Sequence, residues 1–198
     1  MRIGLVPGSF KPYHAGHDAL VRIAAADNND KVLVFYSTSS SRDGIPGATT
    51  SKIVNDYIVG TLPDNVMMIP TDPAKNPVAS VYHELERAEE ENSQDVYTIY
   101  SDSEDIKKYR QENLKKYVPT LVENGQIFTR GIVRGIETPD ISGTKMRQYI
   151  KMNDVKSFTK MLPPSIQQYG QEIFSILRNP LSESTLKTYI RQTIKNLL

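Results

Sequence analysis

The chain has 198 residues, 38% hydrophobic and 24% charged, which fits one globular unit with a real core and excludes a disordered or fibrous protein. Its net charge is only +1, which excludes a broad nucleic-acid surface but leaves room for a local basic pocket. There is no cysteine, so disulfides and thiolate metal sites are excluded.

Short apolar runs alternate with helical patterns along the chain, the βαβ rhythm of a parallel sheet. Residues 3–6 predict a first strand ending at Pro7-Gly8, and a helix follows from about Gly16, with Leu20, Ile23 and Ala24 on one face. Residues 31–36 (Lys-Val-Leu-Val-Phe-Tyr) read as a buried strand, and the Ser-, Gly- and Thr-rich residues 37–50 as a loop. The spacing of Ile53, Val54, Tyr57 and Ile58 predicts a helix over 51–60. A third strand is expected at 66–69, a helix at 78–91, a fourth strand at 96–100, a helix at 104–116 and a last strand at 127–133.

From Ser142 onward the pattern is helical, broken at Pro163-Pro164 and at Asn179-Pro180. The expected architecture is α/β: a Rossmann-like, doubly wound parallel sheet of about five strands with a helical C-terminal extension. Residues 1–150 form its main domain, 151–178 helices packed on it, and 180–198 an amphipathic C-terminal helix. Ligands are expected at the carboxyl ends of the strands. The start is too short an apolar run for a signal peptide, and nothing approaches the roughly 18 apolar residues of a membrane span, so the expected location is the cytoplasm.

The first strand runs into Gly8-Ser9-Phe10-Lys11-Pro12-Tyr13-His14-Ala15-Gly16-His17. Gly8 and Gly16 allow close backbone approach to a ligand, and the helix start offers unpaired N–H groups and a positive dipole end to phosphate. His14 and His17, three apart, both project near that end and carry N–H donors. The residues alone weigh phosphate binding about evenly against a capping or surface role, and two histidines without a third ligand are weak evidence for a metal.

A second stretch, Ile141-Ser142-Gly143-Thr144-Lys145-Met146-Arg147, opens another helix. Ser142 is a good N-cap, with Asp140 as its competitor. Gly143 permits close approach, Thr144 adds a hydroxyl, and Arg147 carries a fixed fork of donors. Read alone, this is a capped helix with a surface arginine.

Together the two stretches resemble the HxGH nucleotidyltransferase superfamily, also called cytidylyltransferase-like. The first matches its Gly-Ser-Phe-x-Pro-x-His-x-Gly-His element after a first strand, and the second its Ile-Ser-Ser-Thr-x-x-Arg element. The match spans roughly residues 1–150, and Gly143 departs from the commoner Ser. In motif style it is closer to nicotinamide-mononucleotide and phosphopantetheine adenylyltransferases than to cytidylyltransferases.

The resemblance implies that His14 and His17 contact the triphosphate and stabilise the departing pyrophosphate, with Arg147 beside them. It implies nucleotide contacts from Gly8, Ser9, Phe10, Gly16, Ile141, Ser142, Gly143 and Thr144. Family members often place a Lys or Arg in the segment after strand two, which nominates Arg42 and the catalytic candidate Lys52; a solvated loop is nearly as good a reading. Gly44, Pro46 and Gly47 there read as a loop that orders on binding. An acidic residue at the end of strand four in relatives contacts the acceptor, which nominates Asp102, though simple helix capping explains it at least as well. Arg130 and Arg134, near the last strand, are further candidates for acceptor phosphate.

The implied reaction transfers NMP from NTP, AMP in preference to CMP, to a small phosphomonoester acceptor with release of pyrophosphate. Mg²⁺ arrives with the NTP and no protein metal site is expected. The nucleophile is an already ionised phosphate oxygen, so the reaction needs neither a general base nor a covalent intermediate. The alternative is a nucleotide-binding scaffold of the same fold without turnover.

Residues 181–198 pattern as an amphipathic helix with Leu186, Ile190, Ile194 and Leu197 in one stripe. It packs on the body or a twin subunit, or docks a different protein.

Overall fold

The computed structural model describes residues 1–39 and 44–179. Arg42 and the helix expected over 180–198 lie outside the described residues.

Five strands form one parallel sheet: β1 (Arg2–Gly8), β2 (Lys31–Tyr36), β3 (Val66–Pro70), β4 (Val96–Asp102) and β5 (Ile127–Ile132), in the order β3-β2-β1-β4-β5. β1 and β2 are nearly continuous apolar runs because helices cover both of their faces. The chain winds outward from β1 through β2 to β3, then returns to place β4 on the other side of β1, with Leu5 facing Ile99 in register. That reversal opens a crevice beyond the carboxyl ends of β1 and β4.

Alternation along each strand divides the core in two. On one face Val6, Val34, Tyr36 and Tyr100 meet α1 (Ala15–Ala26), α2 (Gly47–Ile53), α6 (Gly143–Lys151), α7 (Val155–Met161) and α8 (residues 170–179). On the other, Leu5, Leu33, Phe35 and Ile99 meet α3 (Pro77–Glu90), α4 (Gln111–Tyr117) and α5 (Pro119–Glu123). Phe158 of α7 and Phe174 of α8 meet edge to face at 5.4 Å in the same buried cluster as Phe10 and Tyr13 of the first motif. Each such ring contributes roughly 1.5–3 kcal/mol by leaving water, so the helices beyond residue 150 support the turn that carries the histidines.

Three expectations change. The loop over 37–50 ends early, because α2 starts at Gly47, and the helix expected over 51–60 becomes α2, a wide π turn (Val54–Ile58) and a 3-10 turn (Val59–Thr61). Gly47 is needed there: a Cβ would lie 1.9 Å from the Thr38 carbonyl oxygen. The helix expected over 104–116 breaks at Arg110, whose ψ of 148° is extended, into a 3-10 turn (Asp105–Tyr109) and α4. Burial of both Tyr109 and Leu114 against one core explains the break, since a straight helix does not deliver both to it. α5, started by Pro119, is too short to show a helical period.

Candidate active site

β1 ends at Gly8 and the chain turns sharply into α1. Phe10 takes a positive φ of 51° and is buried, directing its ring against His17 at 4.6 Å and Tyr13 at 5.5 Å. His14 is the N-cap of α1: its Nδ1 accepts the backbone N–H of His17 at 3.3 Å. That bond leaves the neutral ring's proton on Nε2, so His14 is fixed as a donor through that atom. The rings of His14 and His17 stack at 3.5 Å. His17 is partly exposed, yet its Nδ1 is buried without a hydrogen-bond partner.

Both histidines are held neutral. Burial, with help from the positive charge of Arg134, pushes His14 down to about 3. Burial, then His14, then Arg134 hold His17 well below the ordinary imidazole value. A charged phosphate brought to this pair reverses the electrostatic balance, because an anion favours the protonated form.

The crevice is lined by Gly8, Ser9, Phe10, His14, Gly16 and His17 on the β1 side, with Ile141 from the second motif. From the β4–β5 side come Ser101, Asp102, Asp105 and Arg134. Arg134 arrives because the chain after β5 folds back: the Gly135 N–H donates to the Thr138 carbonyl at 2.7 Å, and Val133 N–H to Glu137 at 2.9 Å. Its guanidinium pairs with Asp102 at 3.1 Å, so these two acceptor-side candidates sit together in the crevice.

Ser142 caps α6 as expected, accepting the Lys145 N–H at 3.2 Å, and Asp140 does not compete. Arg147 donates to the Lys11 carbonyl at 2.6 Å and to the Thr144 hydroxyl at 3.0 Å, joining the second motif to the turn of the first. A Cβ at Gly143 would stand 3.0 Å from the Lys11 carbonyl oxygen and 3.2 Å from the Arg147 guanidinium. Glycine therefore relieves a tight approach between the motifs, where a serine would push one of them back by a few tenths of an ångström.

Of the second motif only Ile141 lines the crevice, and Lys52 and Arg130 stand apart from both the crevice and that motif. Lys52 is exposed on α2 and paired with Asp56 at 2.6 Å, which raises its pKa. Arg130 turns toward the end of α1, where it pairs with Asp27 at 2.9 Å and with Glu137 at 3.5 Å. Asp27 also accepts the Tyr100 hydroxyl at 2.6 Å, so Arg130 belongs to a tie between β5, β4 and α1.

Lys11 occupies a variable position of the first motif and is not among the expected site residues. It is 1% exposed, and its ammonium donates to the carbonyls of Ser39 and Ile45 at the two ends of the segment after β2. With its own carbonyl on Arg147, Lys11 connects the first motif, that segment and the second motif. No periodicity marks a buried lysine; the only sequence signal was a charge set between Phe10 and Pro12. Among the described residues no group of three or more His, Asp or Glu is placed to hold a metal ion, and no helix is long and apolar enough to cross a membrane.

No family model and no curated protein matches the sequence. Solved structures do match in fold. Plasmodium falciparum nicotinic acid mononucleotide adenylyltransferase complexed with NaAD aligns with a TM-score of 0.55 at 14% identity, over 93% of this chain and 96% of that one. The same protein complexed with APC aligns at 0.54 and 14%, with the same coverage. Thermotoga maritima TmcAL bound with alpha-thio ATP aligns at 0.52 and 15% over 92% of this chain, which spans 56% of TmcAL. The chain therefore shares the α/β fold of these proteins, in keeping with the expected Rossmann-like parallel sheet.

Proposed function

We propose that this protein is a nucleotidyltransferase that moves an NMP group, AMP in preference to CMP, from NTP to a phosphomonoester acceptor. The observation that carries the reading is the neutral, stacked His14–His17 pair at the mouth of the β1–β4 crevice, with an N–H donor fixed on His14 Nε2 and an unpartnered buried nitrogen on His17. Neighbours of the same fold were solved with alpha-thio ATP, NaAD and APC, which supports a nucleotide as the occupant.

In this reading an ionised oxygen of the acceptor phosphate attacks the α-phosphorus. A new P–O bond forms, the bond from the α-phosphorus to the bridging oxygen breaks, and pyrophosphate leaves with its electrons. His14 and His17 donate to the oxygens that gain charge, and the first turn of α1 receives the triphosphate. Arg147 and Ser142–Thr144 shape the nucleotide side; Asp102 and Arg134 face the acceptor. The near-neutral histidines suit this task, since donors that need no proton exchange are ready before charge develops.

Mg²⁺ is part of the proposal as a companion of the triphosphate. The residues present fit that arrangement, because magnesium is commonly held by substrate phosphates with one or two carboxylates, and Asp102 and Asp105 both line the crevice. When bound it supplies charge neutralisation at the phosphates.

The test is a pyrophosphate-release screen crossing ATP and CTP with a panel of phosphomonoesters. Release that depends on both partners, larger with ATP, is the expected result. ATP binding without release on any acceptor would select the binding-only reading of the same fold.

A further inference from the structure

Behind the crevice, on the α3–α4 face, lies a larger groove that none of the motif residues reach. One wall is a single face of α3, Ala79, Tyr82, His83 and Glu86, spaced as i, i+3, i+4 and i+7. The other wall is α4, with Asn113, Lys116 and Tyr117. Its volume is about 580 Å³, within the range that holds a small organic ligand.

The groove combines flat rings with ammonium groups. Tyr82 lies nearly parallel to Tyr109 at 5.6 Å and tilted to Tyr117 at 5.1 Å, and Tyr117 is 54% exposed. The Tyr82 hydroxyl donates to the Lys108 carbonyl at 2.8 Å, and the Asn113 amide donates to the same oxygen at 3.3 Å, which fixes the rim on which Lys108 stands. Lys75, Lys108 and Lys116 line the groove; Glu86 pairs with His83 at 3.5 Å and the Lys108 ammonium with Asp105 at 2.6 Å, so the groove's positive charge rests on Lys75 and Lys116. A positive groove floored by tyrosine faces selects a planar group that carries negative charge.

A smaller opening lies between the groove and the crevice and shares lining residues with each. Lys108 lines it with Tyr109, Asn76 and Val78, and it reaches Gly8, Ser9 and Ser101 at the ends of β1 and β4. Tyr109 is 1% exposed and its hydroxyl has no hydrogen-bond partner. Lys108 thus stands between the opening at the end of β1 and the tyrosine–lysine groove.

We infer that the acceptor carries a further nucleotide unit beyond the phosphate that is attacked, and that this unit's base stacks on Tyr82 and Tyr117 while its phosphate meets Lys75 and Lys116. This rests on the nucleotidyl-transfer reading for the word acceptor. The groove holds one unit, in keeping with a net charge of only +1. It selects a short, locally read nucleic-acid end or a dinucleotide, and not a long duplex.

The test is direct binding without turnover, using 5′-phosphorylated diuridylate and the same compound with an abasic second unit. The protein is expected to hold the complete dinucleotide about tenfold more tightly, the scale of one base stacked on an aromatic side chain. In the double variant Tyr117→Ala, Lys116→Ala, both exposed side chains, that advantage disappears while the melting temperature and circular dichroism are retained. Equal affinity for the two compounds in the unaltered protein, or an advantage that survives in the variant, overturns the inference. Pyrophosphate release is measured separately. Release on a mononucleotide with no preference for the second base sinks the groove and spares the transfer reading. A clear preference with no release on any acceptor does the reverse.

Discussion

The two banks of the crevice are built on opposite principles. On the β1 bank, His14 and His17 are stacked, neutral and backed by Phe10, Tyr13 and the α6–α8 helices. On the β4–β5 bank, Asp102 and Arg134 form a pair, and the arginine keeps 47% of its side chain exposed. The first bank is preorganised by packing, and its groups have little freedom to rearrange. The second is held by charge in water, where an ion pair contributes little and yields easily to a ligand. A site that binds a constant triphosphate on one side and a variable acceptor on the other is well served by that division.

The sharpest way to break the comparison is His17→Ala. Loss of one donor to developing charge costs about 3–4 kcal/mol in comparable sites, so turnover is expected to fall about a hundredfold to a thousandfold with the fold intact. Near-normal pyrophosphate release by a folded variant would remove the β1 bank from the chemistry.

Lys11→Met probes what holds that bank in place. It removes the ammonium donor from the Ser39 and Ile45 carbonyls, and leaving the buried Ile45 carbonyl unsatisfied costs about 1–3 kcal/mol. A lowered denaturant midpoint is expected; an unchanged one means that Lys11 is not a structural tie.

The third prediction uses pH. The folded His14 is depressed to about 3, while the unfolded residue takes its ordinary value near 6.5. Below about pH 6.5 the unfolded chain binds a proton that the folded chain refuses, so stability is full above that pH and declines below it. The slope approaches about 1.4 kcal/mol per pH unit for His14 alone, down to about pH 3. Denaturant titrations between pH 7 and 5, compared with His14→Gln, measure it; identical slopes in the two proteins would show that His14 is not held neutral. In a direct titration of the imidazole, Arg134→Ala is expected to raise the His14 pKa, because the smaller of the two causes that lower it is gone.

The smallest effect belongs to Lys52→Ala. Lys52 faces Asp56 and does not line the crevice, so the melting temperature is expected to shift little and kcat/KM to change about twofold at most. A tenfold loss of kcat/KM would return Lys52 to the triphosphate side and show that the segment around it moves on binding.

Much of this was legible along the chain. Continuous apolar runs with interleaved helical periods announced the parallel sheet, and residues 31–36 coincide with β2. Ser142 was legible as a cap because a hydroxyl before a helical run has one strong use. The resemblance nominates Lys52, and nearness to the last strand nominates Arg130. Their side chains turn elsewhere because Asp56 and Asp27 offer partners that no linear pattern reveals. The split at Arg110 and the π turn after α2 were equally hidden, since each answers a demand of the core on residues far away in the chain.

By itself, the sequence determined the order of elements, the two motifs and the donors they carry, because these depend on local periodicity, capping and backbone freedom. Only the tertiary structure decided which charges face the crevice, that both histidines are neutral, and that a buried lysine ties the motifs together. It also decided that tyrosines and lysines from α3, α4 and the preceding turn share one groove. Those outcomes depend on desolvation and on contacts between distant segments, and both arise only when the sheet closes and its helices pack.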